Sequence, residues 1–278
     1  KPSSSMRARR GNFRCASCRH TPPVRAPCIM AASAGIPAYS DKGYWERRYV
    51  AGERAAEEAQ NYSPVPATGP ASAACTEWYA NWEALRTPLC SLGGPLGSLA
   101  VQPHSQVLEL GCGDSGLAEG LAATGLCALA IDFSPAALRL ATRRPALPCC
   151  RPRPAFAAAD VRRLPVRSGA FDVVLDKGCF DALRSRDSAA MLQEVCRVLR
   201  PGGRFVCLSN SEALLRSHAR RLPGWAPAPG TPLTLPDLDD EVVLHCYVRR
   251  APGAGSADGR GPPGCTGGAA DGRGRPGG

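Results

Sequence analysis

Three glycines with regular spacing follow a short apolar stretch in the middle of the chain. Residues 107–116 read VLELGCGDSG, with Gly111, Gly113 and Gly116 after the predicted strand and a helix-forming stretch behind them. Glycines let the chain turn sharply and bring backbone N–H groups against a ligand, and a helix N-terminus adds partial positive charge. The spacing therefore predicts a loop that binds a nucleotide-type cofactor.

An acidic residue closes the next apolar run, where it can complete the same site. Asp132 ends LCALAID, 21 residues after Gly111, and its carboxylate can accept hydrogen bonds from ribose hydroxyls. Taken literally, Gly111-x-Gly113-x-x-Gly116 is also the fingerprint of dinucleotide-binding proteins. These residues alone leave both NAD and another adenosine-containing cofactor open.

Two further positions favour S-adenosylmethionine over NAD. Glu109 lies two residues before Gly111, and this form resembles the first motif of class I methyltransferases, in which the acid faces the methionine end of the cofactor. Asp160 and Val161 follow the third apolar run and resemble the pair that meets the adenine in that family. A simpler alternative for Asp160 is the cap of a turn. The resemblance implies S-adenosylmethionine as the cofactor.

Strands and helices must alternate along the chain to bring these positions together. The apolar runs predict strands at 107–110, 126–132, 155–159, 171–175 and 204–208, helices at 115–124, 135–143 and 187–199, and a terminal antiparallel strand at 241–248. Ser134 is a suitable N-cap and Pro135 a suitable first helical residue. This order predicts an α/β fold whose parallel sheet carries helices on both faces. Every candidate ligand contact then lies at the C-terminal edge of the sheet.

The positive charge of the chain is concentrated outside this central part. The chain has 278 residues and a net charge of +10, but residues 1–40 hold seven basic residues and no acidic one. The body is then nearly neutral, which argues against nucleic acid as a partner. With 44% apolar residues, the chain has material for one sizeable core, so we expect one folded domain.

Composition also divides the chain into segments. The basic leader over 1–41, which has no acidic residue before Asp41, is typical of a mitochondrial presequence, and an ordinary disordered basic tail is the alternative. We expect the folded domain over 42–250, a flexible insertion over 52–75 and a disordered Gly-rich tail over 251–278. The sequence has no apolar run long enough to predict a membrane span. Reduced thiols are predicted for the cysteines, and Cys15-x-x-Cys18 lacks the second pair that is typical of a zinc site.

Three longer elements carry a closer resemblance. DKGCFDA at 176–182, YWERRY at 44–49 and EWY at 77–79 resemble the seven-β-strand protein-lysine methyltransferases, which include the citrate synthase and elongation factor 1-alpha lysine methyltransferases. The resemblance covers about residues 42–250 and implies a Rossmann-like, seven-stranded class I methyltransferase sheet. In three respects the chain departs from the family: Cys179 replaces the usual Thr, the insertion is long, and the tail has no counterpart.

The resemblance implies a role for each matched position. The implied cofactor-binding residues are Trp45, Tyr49, Trp78, Glu109, Gly111, Gly113, Asp132, Phe133, Asp160, Val161 and Lys177. The three aromatic residues among them would cover the cofactor, although periodicity alone favours simple packing against the domain surface. Asp176 has two open roles: it orients the acceptor ammonium as a catalytic residue, or it holds the following loop through a structural hydrogen bond. This chemistry requires no metal.

A protein lysine is the acceptor that the resemblance implies. The presequence-like leader, with IDFSP and DKGCFDA, makes mitochondrial citrate synthase the first choice and the matrix the expected location. YWERRY and EWY fit the cytosolic elongation factor 1-alpha enzymes at least as well. A small-molecule methyltransferase is the third alternative. From other classes, a silent adenosyl-binding scaffold or an NAD-dependent reductase stays possible, because fold does not fix function.

Overall fold

The computed structural model describes residues 39–62, 77–91, 94, 104–144, 153–235 and 241–250. Nearly all of the predicted leader, residues 63–75 of the predicted insertion and the whole tail after Arg250 lie outside these residues. Within the described ranges, no helix is both long enough and apolar enough to cross a membrane.

Six α-helices and eight strands make up the described part of the chain. The helices are α1 (Lys42–Tyr62), α2 (Trp82–Cys90), α3 (Leu117–Ala123), α4 (Pro135–Arg143), α5 (Ser185–Val198) and α6 (Glu212–Ala219). The strands are β1 (Gln106–Leu110), β2 (Cys127–Asp132), β3 (Ala155–Ala158), β4 (Phe171–Lys177), β5 (Leu199–Ser209), β6 (Trp225–Pro227), β7 (Leu233–Thr234) and β8 (Val243–Arg249).

The strands form one sheet in the order β3-β2-β1-β4-β5-β8-β6, and β7 pairs with β8 away from this path. Strands β1 to β5 are parallel, and β8 is antiparallel to β5. The predicted α/β class, with its parallel-dominated sheet, is therefore confirmed. The described sheet has eight strands and not the expected seven. Strands β6 and β7, of three and two residues, are too short to leave a periodic pattern in the sequence.

Helix α1 differs from its sequence-based expectation. Residues 52–62, predicted as the start of a flexible insertion, continue α1 instead. The segment is rich in Ala and Glu, which are strong helix formers. Ion pairs join it to α4: Glu53 accepts from Arg139 at 2.7 Å, and Glu57 accepts from Arg143 at 3.1 Å. In α4 itself, the Ser134 side chain accepts from the Ala137 N–H at 3.1 Å, so the predicted N-cap is confirmed.

Both faces of the central strands are buried, as parallel sheets require. Val107 packs on the face covered by α2 and α3, whereas Leu108 and Leu110 pack on the face covered by α5. Because strand side chains alternate between faces, Glu109 shares the α2–α3 face with Val107. A carboxylate thus lies inside an otherwise apolar strand.

Candidate functional site

The loop after β1, residues 111–116, is called the glycine loop. Gly111 and Gly113 have φ angles of +59° and +54°, in the left-handed region that favours glycine. A Cβ on Gly111 would lie 2.6 Å from Cys179 Sγ, and a Cβ on Gly113 would lie 2.5 Å from Tyr49 Oη. Both backbone conformation and close approach therefore demand glycine at these two positions.

Asp132, at the end of β2, is joined to the glycine loop. It is 4% exposed, and its two carboxylate oxygens accept from Gly113 N at 2.9 Å and from Ser134 N at 2.8 Å. Burial raises the pKa of Asp132 above its ordinary value, while these N–H donors act against the rise. The ends of β1 and β2 are thereby fixed relative to each other.

Helix α1 places an aromatic cluster beside this loop. The cluster consists of Tyr39, Trp45, Tyr49 and Trp78, with ring centroids 6.2 Å apart for Trp45 and Tyr49 and 5.4 Å apart for Trp45 and Trp78. Trp45 and Tyr49 are one helical turn apart and so share a face of α1. Trp45 Nε1 donates to the Tyr39 backbone oxygen at 2.7 Å. The packing role expected from periodicity is present, and a covering role over a cofactor stays a prediction.

Lys177, the last residue of β4, forms a buried ion pair with Glu77. Lys177 Nζ donates to Glu77 Oε2 at 2.9 Å and to the Trp78 backbone oxygen at 3.0 Å. Glu77 also accepts from Gly116 N at 3.1 Å and from Ser115 Oγ at 2.9 Å. Burial alone would raise the pKa of Glu77, but Lys177 and these donors hold it below its ordinary value. This carboxylate joins the EWY element to both β4 and the glycine loop.

Glu109 lies in β1 immediately before the glycine loop and has an unpaired oxygen. The residue is 2% exposed, and its Oε2 atom is buried without a hydrogen-bond partner among the residues that the structure describes. Burial raises its pKa to about 8, against the opposing effect of the Lys177 charge. Buried carboxylates normally have partners, so Glu109 is the polar group here that most clearly calls for a ligand.

Asp176 is equally buried but has its donors within the protein. Oδ2 accepts from Phe180 N at 3.0 Å, and Oδ1 accepts from Cys207 Sγ at 3.4 Å. Burial, with the nearby Asp181 charge, raises the pKa of Asp176 to about 8. These contacts hold the loop at residues 178–184, called here the β4 loop. They correspond to the structural role expected for Asp176, and the catalytic role stays a prediction.

Asp160 and Val161 lie farther along the same edge. Asp160 accepts from Lys42 Nζ at 2.8 Å and from Arg162 N at 2.9 Å, so it both caps a turn and holds the start of α1. Hydrogen bonds from Arg162 and Lys42 hold the pKa of Asp160 well below its ordinary value. Lys42 Nζ also lies 5.2 Å from the Phe133 ring centroid, and Val161 packs in the core beneath. Asp160 and Phe133 thus meet around the first residue of α1.

The predicted positions therefore gather along one edge of the sheet, and three residues absent from the prediction join them. Tyr39 and Glu77 are described above, and the third is Arg48. Within the described part of the chain, its Nε atom and Trp78 Nε1 are both buried without hydrogen-bond partners, and Arg48 Cζ lies 6.0 Å from the Trp78 ring centroid. The helical spacing Trp45, Arg48, Tyr49 was the signal in the sequence that indicates a shared face.

Comparison with known families agrees with this geometry. Residues 107–203 match the family model described as "Methyltransferase domain". Residues 107–203 are therefore similar to a methyltransferase domain. This confirms the family expected from the residues, and it agrees with the predicted cofactor. A solved magnesium protoporphyrin IX methyltransferase from Synechocystis PCC 6803, crystallised with bound S-adenosylmethionine, has the same fold: the TM-score is 0.53 at 15% identity, over 78% of this chain and 100% of that one.

Curated relatives include protein-lysine methyltransferases. The eEF1A lysine and N-terminal methyltransferase of Danio rerio is 36% identical over 166 residues, which cover 54% of this chain but only 21% of that protein. The EEF1A lysine methyltransferase 4 of Bos taurus is 28% identical over 222 residues, 74% of each chain. The mitochondrial citrate synthase-lysine N-methyltransferase of Danio rerio is 32% identical over 144 residues, 46% of this chain and 53% of that protein.

Proposed function

We propose that this chain is an S-adenosylmethionine-dependent protein-lysine N-methyltransferase. The unpaired Oε2 of Glu109, buried beside the glycine loop, is the observation that carries the proposal. A buried carboxylate without a partner is costly, and the raised pKa of Glu109 expresses that cost. The α-ammonium group of the methyl donor would relieve it. A dinucleotide pyrophosphate would instead bring a second negative charge, so the NAD alternative is disfavoured.

The surrounding residues fit the rest of this cofactor. The oxygens of Asp132 accept backbone N–H bonds, and a carboxylate has further lone-pair sites that could accept a bond from a ribose hydroxyl. The aromatic cluster, to which α1 contributes Trp45 and Tyr49, suits a positively charged sulfonium. We assign the remaining contacts to Gly111, Gly113, Phe133, Asp160, Val161 and Lys177. When bound, the cofactor supplies a methyl group on a positively charged sulfur.

The protein itself positions the donor and the acceptor and keeps water away from them. Methyl transfer requires donor and acceptor to be aligned, and an enclosed site achieves this by restricting both and excluding water. A lysine acceptor has an ordinary pKa near 10.4 and must lose its proton, which burial beside a positive charge favours. We propose that Asp176 contributes as a positioning residue through the Phe180 N–H, because its side chain is fully buried.

For the acceptor, we propose the lysine of mitochondrial citrate synthase, in the matrix. The basic leader and DKGCFDA support this choice, as does the likeness to the citrate synthase enzyme of Danio rerio. Elongation factor 1-alpha in the cytoplasm is the second candidate. It is favoured by the greater length over which the EEF1A relative of Bos taurus matches the chain, 222 residues against 144.

Two measurements test the proposal in sequence. Calorimetry of the full chain should detect binding of S-adenosylmethionine and not of NADH, and Asp132→Ala should abolish it. Binding of NADH alone would overturn the cofactor assignment. Purified citrate synthase and elongation factor 1-alpha are then incubated in parallel with labelled donor and the enzyme, with Asp132→Ala enzyme as the control. Label on a lysine of one acceptor identifies it, and label on neither, with donor binding intact, would refute both acceptors.

A further inference from the structure

Five arginines cluster where α5 begins and α6 ends. This basic surface consists of Arg184, Arg186, Arg216, Arg220 and Arg221, and all five are exposed. Arg216 in α6 and the two arginines directly after this helix line a groove of about 690 Å³, together with Glu212, Ala213 and Ser217. Because the body of the chain is nearly neutral, this concentration of one charge sign is local.

The basic surface adjoins the candidate site. His218, in the last turn of α6, has its Nε2 atom 3.4 Å from the hydroxyls of Ser185 and Ser188 in the first turn of α5. The His218 ring centroid lies 6.5 Å from that of Phe180, in the β4 loop. On the other side, Arg184 Nε donates to Ser40 Oγ at 3.3 Å, next to the aromatic cluster. The surface therefore lies beside the β4 loop, where an acceptor protein would approach.

The acidic side chains of this region leave most of the positive charge uncompensated. Glu212 accepts from Arg216 at 3.0 Å, and Asp187 accepts from Arg162 at 3.0 Å. In the part of the chain that the structure describes, Arg186, Arg220 and Arg221 form no ion pair. Adjacent like charges repel one another, so an anionic partner is what the arrangement favours.

We propose that an acidic segment of the acceptor protein docks on the basic surface and thereby presents its lysine to the neighbouring site. This inference rests on the proposed function. Guanidinium groups match carboxylates in paired hydrogen bonds, so glutamates or aspartates are suitable contacts. The basic surface contains no aromatic side chain on which a base could stack and is too small to track a phosphate backbone, so a protein segment is favoured over a nucleic acid.

Fluorescence anisotropy tests the proposal with a defined probe. The probe is a labelled short peptide with one lysine between two runs of glutamate, and its counterpart has glutamine in place of glutamate. Arg220→Glu/Arg221→Glu should weaken binding of the glutamate peptide roughly tenfold. Arg220→Lys/Arg221→Lys, which keeps the charge, should retain most of it. Added salt should weaken wild-type binding and reduce the difference between variants.

A matched control carries the same two substitutions elsewhere. Arg153 and Arg167 are exposed and precede β3 and β4, at the opposite edge of the sheet, so Arg153→Glu/Arg167→Glu should leave peptide binding unchanged. Equal binding of the glutamate and glutamine peptides, or equal losses in the two glutamate variants, would overturn the proposal. Tighter binding of a single-stranded oligonucleotide of equal charge would also overturn it. Donor binding, measured by calorimetry on the same proteins, separates this outcome from failure of the proposed function.

Discussion

The ends of β1 and β4 each carry a fully buried carboxylate, and the two differ in their partners. Glu109 and Asp176 both have a pKa raised to about 8, mainly by burial. Asp176 accepts from Phe180 N and Cys207 Sγ, whereas Oε2 of Glu109 has no hydrogen-bond partner in the described ranges. Burial and a shifted pKa are therefore not enough to distinguish a structural carboxylate from one that binds a ligand.

The loops that follow these strands differ in the same way. The β4 loop is held by hydrogen bonds from other parts of the protein: Asp181 accepts from Tyr79 Oη at 3.1 Å and from Ser209 Oγ at 2.7 Å. The glycine loop is held by Asp132 at Gly113 and by Glu77 at Gly116, and Glu109 lies beside it with an oxygen that has no partner among the described residues. We infer that the β4 end is complete as folded and that the β1 end becomes complete when the donor binds.

The largest expected loss of donor affinity comes from adding a side chain to the glycine loop. Gly113→Ala combines a positive φ of +54° with a Cβ 2.5 Å from Tyr49 Oη, so the buried Tyr49 side chain or the loop must shift. We expect donor affinity, measured by calorimetry, to fall more than roughly 100-fold. Gly202→Ala is the control, because Gly202 has a φ of +81° with nothing within 4 Å of its Cβ. Similar donor affinity in the two variants would contradict the close approach of Tyr49.

Substitution of Glu109 should mainly lower donor affinity, whereas substitution of Asp176 should mainly lower the free energy of unfolding. Glu109→Gln removes the charge that the donor ammonium would meet, so donor affinity should fall roughly 10- to 100-fold while the free energy of unfolding holds or rises. Asp176→Ala leaves the Phe180 N–H without its acceptor. It should cost about 1–3 kcal/mol of unfolding free energy. Calorimetry and urea unfolding of both variants give the comparison, and a stability loss confined to Glu109→Gln would reverse our assignment.

The sequence predicts the parts of this site that local pattern determines. Gly113, Asp132 and the Ser134 cap follow from strand ends and turn chemistry, and the structure brings them together as expected. The partners of Glu109 and Asp176 could not be predicted, since they depend on which distant N–H or thiol reaches each carboxylate. Residues 52–62 were wrongly predicted as flexible because their ion pairs to α4 are tertiary contacts.

Glu109 should also make both stability and donor affinity depend on pH. Glu109 has an ordinary pKa of 4.5, raised to about 8 in the folded protein, so its contribution to stability is full below pH 4.5 and is lost as pH rises towards 8. The unfolding free energy of the wild-type protein should therefore fall with pH more steeply than that of Glu109→Gln, by up to about 1.4 kcal/mol per pH unit. Since the donor ammonium favours the ionised carboxylate, wild-type donor affinity should increase several-fold per pH unit from about pH 6 to 8. A pH-independent affinity in the wild-type protein would remove Glu109 from the donor site.

The smallest effect is expected where α1 is held by a surface ion pair. Lys42 Nζ lies 2.8 Å from Asp160 Oδ2, but the two side chains are 51% and 32% exposed, and exposed pairs contribute about 0–1 kcal/mol. Lys42→Ala should therefore lower the unfolding free energy by less than about 1 kcal/mol and donor affinity by less than roughly threefold. Trp45→Ala removes the centre of the aromatic cluster. In urea unfolding, this substitution should lower the unfolding free energy by at most about 3–5 kcal/mol, because Trp45 is only partly buried. If Lys42→Ala had the larger effect, the ion pair to Asp160, and not the aromatic face, would be what holds α1 over the glycine loop.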